Sequence, residues 1–257
     1  MKPLEMNVLQ VRKLLVGFIR EHTQKQGFSR IILGLSGGVD SSVAAYLAVE
    51  ALGNKNCLGV LLPHRVSSPQ STADAQQVAE CLRMPIQMVD ISPMVDAFQQ
   101  ALPDITAVQL GNVMARCRMI VLYHLSAQKQ ALVMGTSNKS EILLGYGTLY
   151  GDLACAFNPL GDLYKTQIRL LAENLGVPEA IRQKMPSADL WAGQSDEGDL
   201  GVTYAEVDRF LVRWVDHRLN HQELIAEGFT PDYIDRVVKL VQSQHFKRTP
   251  PVIPKIS

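Results

Sequence analysis

Ile31-Ile32-Leu33-Gly34-Leu35 runs directly into Ser36-Gly37-Gly38-Val39-Asp40-Ser41-Ser42. A short stretch without polar side chains suits a strand buried on both faces, and the paired glycines end it abruptly. Helical spacing follows over 43–52, stopped by Gly53. The alternation then repeats: a strand over 57–62 closed by Pro63, a helix over 70–82, a strand over 86–89, a long helix over 111–128 and a strand over 131–134. Ahead of it, Val8, Val11, Leu14, Leu15, Phe18 and Ile19 form the apolar stripe of a helix within 5–26. Strands alternating with helices imply an α/β fold, a doubly wound parallel sheet with helices on both faces. Such a sheet binds ligands beyond the carboxyl ends of its strands. Segments 36–42 and 135–141, which follow the first and fourth strands, are therefore expected to open on one edge.

Downstream, 145–161 is rich in Gly, Tyr and Asp and is expected as loops around that edge. Helices return at 166–175, 203–216 and 231–243, while the proline-rich tail TPPVIPKIS excludes helix. With no repeat, linker or low-complexity stretch, residues 1–257 are expected to form a single domain with a helical C-terminal part. A hydrophobic fraction of 47% supports a sizeable core, and 25 basic against 25 acidic residues leave no bulk field for nucleic acid or an anionic membrane. Affinity for anions must be local. None of the four cysteines has zinc-knuckle or redox spacing, and Cys57 and Cys81 fall in apolar patterns as buried reduced thiols. No signal peptide or bilayer-length apolar run is present, so a cytoplasmic location is expected.

The turn at 36–42 carries the chemistry. Backbone N–H groups of a glycine-rich turn and the positive end of the next helix suit a polyphosphate, and Ser36, Ser41 and Ser42 add hydroxyl donors. A Walker A loop would carry a lysine, which this turn lacks. Asp40 is compatible with a polyphosphate when a divalent cation lies between them, as Mg²⁺ does with one or two carboxylates. In a plain tight turn, Asp40 would instead cap the following helix.

SGGVDSS behind a hydrophobic strand resembles the signature of the N-type ATP pyrophosphatases, or PP-loop enzymes, which cleave ATP between its α and β phosphates and adenylate an acceptor. Among them the chain is most similar to the NAD synthetases of the ammonia-dependent, single-domain type. Gly111-Asn112, Ala115-Arg116 and Arg118-Met119 followed by Tyr123 match that family's helix GNxxARxRMxxLY. GTSNKSEILLGYGTLYGD at 135–152, LYKTQ at 163–167, PSADL at 186–190, QSDEGDLGVTY at 194–204 and FKRTPPVIP at 246–254 continue it in order.

The resemblance implies that Gly34, Leu35, Ser36, Gly37, Gly38, Val39, Asp40, Ser41 and Ser42 hold ATP together with Thr136, Lys165 and Ser187. It implies Asp40 and Glu141 as Mg²⁺ ligands, and Asn112, Arg116, Arg118, Tyr123, Glu141, Asp152, Phe246 and Lys247 around the dinucleotide. Asp40, Lys165 and Asp152 would be catalytic, with Asp152 either a base or a positioning group for ammonia. Outside that context Glu141 would be a solvated charge and Arg118 a surface ion pair. Two departures stand out: Leu149 replaces a common lysine and Ala156 a common acid, so contacts made there in other members do not carry over.

The implied reaction is ATP-dependent amidation of deamido-NAD to NAD through an adenylate, with ammonia as nitrogen source and Mg²⁺ as cofactor. About thirty residues precede the loop, too few for the glutaminase domain of glutamine-dependent members. A separate glutaminase partner is the alternative source of ammonia. A homodimer is also implied. Rival readings are an amidating ligase of the GMP synthetase type and a non-catalytic nucleotide-binding module.

Overall fold

The computed structural model describes residues 4–191 and 193–256. Four strands, β1 (Ile31–Gly34), β2 (Cys57–Leu61), β3 (Ile86–Met88) and β4 (Leu132–Val133), form one parallel sheet in the order β3-β2-β1-β4. Ile31 pairs with Cys57 on one side and Leu132 on the other. Sheet order reverses between β1 and β4, the switch point at which doubly wound sheets open a crevice. Period two divides β1 between two cores: Ile31 and Leu33 face one cluster and Ile32 the other, all three completely buried.

The first cluster is covered by α1 (Val8–Lys25), α2 (Val39–Leu52) and α3 (Pro69–Leu82). The opposite one is covered by α4 (Ser92–Ala101) and α5 (Ala107–Lys129). Beyond β4 come α6 (Lys139–Leu144) and α7 (Lys165–Leu175), the latter returning to the first face, then the short α8 (Glu179–Gln183) and α9 (Asp196–Leu200). Helices α10 (Tyr204–Leu211), α11 (His221–Ala226) and α12 (Pro231–Ser243) enclose a third apolar cluster with Leu144 of α6 and Tyr164. The helical C-terminal part therefore packs against the elements that follow β4, beside the switch point.

Several sequence expectations shift. Helix α2 begins at Val39 rather than at 43, so Asp40, Ser41 and Ser42 are its first turn. Thr106 and Gln109 form a reciprocal capping box that starts α5 at Ala107. The expected helix over 203–216 is α10 followed by a π-helical turn, Val212–Asp216. Helix α4, which holds Pro93 in its first turn and ends before Pro103, has no counterpart among the sequence expectations. Cys57 is buried as expected, whereas Cys81 is exposed: α3 buries Asp74, Ala75, Val78 and Ala79, and position 81 lies off that stripe.

Candidate active site

The turn that leaves β1 is held by its own hydroxyls. Gly37 has φ +76°, and a Cβ there would lie 2.1 Å from the Ser71 carbonyl oxygen, so glycine is required. Ser41 Oγ accepts from the Ser36 N–H at 3.2 Å, and Ser42 Oγ donates to the Gly38 carbonyl at 2.8 Å. Gly38 is the N-cap of α2 and no side chain caps that helix. Asp40 is thus not a cap but the second residue of α2, with its carboxylate directed to other elements. The positive end of α2 opens into a cavity of about 860 Å³, lined there by Ser36, Gly38, Val39, Asp40 and Ser41.

Across the switch point, Asn138 caps α6 and pairs reciprocally with Glu141. Its Oδ1 accepts from the Glu141 N–H at 3.0 Å, and its own N–H donates to Glu141 Oε2 at 3.2 Å. Its side-chain amide also donates to Asp40 Oδ1 at 2.9 Å, which ties the loop after β4 to α2. Lys165, the first residue of α7 and only 3% exposed, completes the cluster, its Nζ lying 2.5 Å from Asp40 Oδ2 and 3.1 Å from Glu141 Oε1. Burial disfavours the charge on Lys165, but the two carboxylates outweigh it and hold the ammonium above its ordinary pKa. Burial raises the Glu141 carboxyl above its ordinary value, Lys165 opposing and Asp40 adding to the shift. Asp196, 3% exposed, is a third acid at this corner; it accepts from the Tyr204 hydroxyl at 3.2 Å, and burial raises it.

One ammonium against three acidic groups is a site that fits an added cation. Among the described residues no three His, Cys, Asp or Glu side chains are grouped to hold a metal by themselves. Asp40 and Glu141 would therefore share a hard cation with oxygens of a ligand, the habit of Mg²⁺.

At the other end of the cavity, Asn112 Oδ1 accepts from the Thr148 hydroxyl at 2.7 Å, and Asp152 Oδ1 accepts from the Thr148 N–H at 2.8 Å. Asp152 is open to water from the cavity, yet the protein crowding around it raises its carboxyl above the ordinary value, the Thr148 N–H opposing. Arg118 donates from Nε to the Leu62 carbonyl at 3.0 Å and forms no ion pair among the described residues, which removes the surface-pair alternative. Burial lowers its pKa, against the pull of Asp189 and Asp152. Lys247 Nζ donates to the carbonyls of Gly145 and Gly147 at 2.7 and 3.0 Å. Thr136 and Ser187 line the same cavity, and Ser187 Oγ accepts from the Asp189 N–H at 3.1 Å.

Not every expected residue arrives there. Gly37 and Ser42 lie behind the loop surface and do not line the cavity. Arg116 is exposed and reaches the Leu149 carbonyl at 3.3 Å. Tyr123 lines a separate hollow with Gly27, Phe28 and Ser29, and Phe246 is 57% exposed. In the other direction, the sequence reading missed Asn138, Tyr146, Lys184 and Asp196 as cavity neighbours. Asn138 alone had a local signal, the N-x-x-E capping pattern of NKSE.

The sequence profile of the NAD synthase family matches residues 11–251. The chain is 51% identical to the NH(3)-dependent NAD(+) synthetase of Trichlorobacter lovleyi, over 100% of this chain and 94% of that protein. Among solved structures, the NMN synthetase of Francisella tularensis superposes with a TM-score of 0.87 at 32% identity, covering 98% of this chain and all of that one. The NH3-dependent NAD synthetase of Campylobacter jejuni gives 0.83 at 35% identity, over 97% and 100% of the two chains.

Proposed function

The chain belongs to the NAD synthase family, ligases that form a C–N bond, and from that membership we propose that it amidates deamido-NAD to NAD with ATP and ammonia. The observation that carries this reading is the meeting of Asp40, Glu141 and Lys165, from the ends of β1 and β4 and the start of α7, at the mouth of an uncapped helix. In this reading the N–H groups of α2 and Ser36 bind the ATP phosphates, with Thr136 and Ser187 alongside. Mg²⁺, held by Asp40 and Glu141 together with phosphate oxygens, would neutralise charge on the departing pyrophosphate.

The dinucleotide's carboxylate attacks the α-phosphorus and pyrophosphate leaves. Ammonia then attacks the activated carbonyl carbon, AMP departs, and the amine loses a proton. Lys165 offsets negative charge as the phosphate bond breaks, a preorganised contribution that needs no reorganisation of water. Asn112, Arg118, Asp152 and Lys247 receive the acceptor, and Asp152 orients ammonia or takes its proton. Arg116, Tyr123 and Phe246 belong to this reading only if the dinucleotide extends beyond the cavity. The likeness to a structure described as an NMN synthetase favours a second acceptor, the nicotinate mononucleotide, which would not need those outer residues.

The test mixes ATP, Mg²⁺ and ammonium with either deamido-NAD or nicotinate mononucleotide, and follows amide product and pyrophosphate. Turnover of deamido-NAD is expected with ammonium and little with glutamine alone. Turnover of neither acceptor would defeat the reading; turnover of the mononucleotide alone would transfer it to the smaller substrate. We also infer a cytoplasmic homodimer. Leu9 and Leu14 of α1 and Ile120 of α5 are exposed, and no helix among the described residues is long and apolar enough to cross a membrane. Sedimentation as a monomer would remove the dimer. In this reading the ammonia comes from solution or from a separate glutaminase.

A further inference from the structure

We propose that Asp208, on α10 and outside the cavity lining, is a positioning residue that sets Lys165 and Glu141 for the amidation reaction, and this rests on the function proposed above. Helix α7 starts without help from its own N-cap residue: the hydroxyl of Tyr164 donates to Asp216 at 3.1 Å. The first N–H groups of α7 are instead taken by two residues distant in sequence. Lys165 N–H donates to Ser140 Oγ at 2.9 Å, and Thr166 N–H donates to Asp208 Oδ2 at 2.8 Å. Ser140 in turn donates its hydroxyl to Asp208 Oδ1 at 2.5 Å. One carboxylate therefore holds the backbone of α7 directly and, through Ser140, the residue that precedes Glu141 in α6.

Asp208 is completely buried on α10, whose Val207, Phe210 and Leu211 belong to the third apolar cluster, and it forms no ion pair among the described residues. A buried carboxylate without a counter-ion is costly, so packing alone does not account for it. An acceptor-only group with two oxygens does account for it, because two donors from different helices converge on it. Without Asp208 the Ser140 hydroxyl is free to rotate, the Lys165 N–H loses a fixed acceptor, and the starts of α6 and α7 can separate. Their separation moves Lys165 Nζ relative to Glu141 and Asp40, which it now bridges.

The experiment compares purified wild type with Asp208→Asn, Ser140→Ala and a packing control, Val207→Ala, the residue before Asp208 on α10 and a member of the third apolar cluster. Initial rates of amide formation are measured against ATP, Mg²⁺ and acceptor, and thermal unfolding is recorded for each. Asp208→Asn is expected to lower kcat/KM for ATP roughly 100-fold and to raise the Mg²⁺ requirement, with KM for the acceptor unchanged. Ser140→Ala should lose roughly tenfold in the same direction, since a misplacement of the lysine rather than its loss is involved. Val207→Ala should lower Tm while keeping the rate per folded enzyme. Wild-type kinetic constants in Asp208→Asn, or equal rate loss in Val207→Ala, would overturn the proposal. Should Asp208→Asn fail to fold, Ser140→Ala decides: an unchanged ATP and Mg²⁺ dependence rejects the relay. A wild type without turnover would sink the amidation reading, and with it this one; an active wild type isolates the test to Asp208.

Discussion

Lys165 experiences opposite demands from its surroundings. Burial disfavours its charge, and the facing carboxylates of Asp40 and Glu141 restore it. Removing one carboxylate therefore alters both the ammonium and the cation-binding capacity of the corner. Asp40→Ala is expected to reduce NAD formation by roughly 1,000-fold at saturating ATP, and added Mg²⁺ should not restore it. Full activity in that variant would refute the metal role. Asp152 allows a pH test with a definite sign. Protein crowding raises its carboxyl above its ordinary 3.8. If the ionised form handles ammonia, kcat/KM must be lost as pH falls through that raised value, and Asp152→Asn should lack this acid limb. Stability moves the other way. Above 3.8 the unfolded chain has released the proton that the folded chain still holds, so the contribution of Asp152 declines as pH rises through the raised value. Unfolding curves of wild type and Asp152→Asn across that range, compared at equal ionic strength, check the second sign.

Elements differ in how openly the sequence declares them. Strands β1 and β2 and helices α3 and α12 were legible because burial on two faces, or an apolar stripe with a stop, leaves a periodic trace. Helix α4 was not, since its apolar residues Met94, Val95 and Phe98 lie between Pro93 and Pro103, and prolines read as loop punctuation although Pro suits a helix first turn. The start of α2 was misplaced for a related reason. Gly, Ser and Asp are turn formers in isolation, yet they are also what an open, ligand-facing helix start requires. The Asp40–Glu141–Lys165 corner was legible only through a family pattern, because the contacts of Asp40 with Asn138 and Lys165 span 98 and 125 residues of chain. Asp196 lies within the family segment QSDEGDLGVTY but nothing local marks its place in the corner, and Asp208 has no trace of either kind. The loop before α2 yields its own prediction. At Gly37 an alanine meets both a positive φ and the Ser71 carbonyl, with no flexible side chain to yield. Gly37→Ala should destabilise the protein by more than about 1 kcal/mol and raise KM for ATP more than KM for the acceptor. Denaturant unfolding and initial rates test the two parts separately.

At the scale of the whole molecule, the two ends of the cavity depend on different parts of the chain. The end proposed to take ATP is built on the sheet edge, whereas the end proposed to take the acceptor rests on the loop 145–152, which the C-terminus secures from outside. Lys247 Nζ holds the Gly145 and Gly147 carbonyls, and Arg248 donates to the Leu143 and Val241 carbonyls at 3.2 and 3.1 Å. Burial lowers the pKa of Lys247, while the Asp152 charge opposes that shift, so the latch and the acceptor-side acid are electrically linked. The residues beyond Thr249 behave differently: Val252 and Ile256 are each 94% exposed and hold nothing of the cavity. Two truncations separate these roles. Ending the chain after Thr249 should leave Tm and the kinetic constants at their wild-type values. Ending it after Gln244 removes Lys247 and Arg248 as well, frees the 145–152 loop, and should raise KM for the acceptor by roughly tenfold or more while KM for ATP changes little. Equal loss at both ends of the cavity in the shorter protein would mean that the C-terminus supports the fold as a whole. A selective loss at the acceptor end would place the latch on the 145–152 loop.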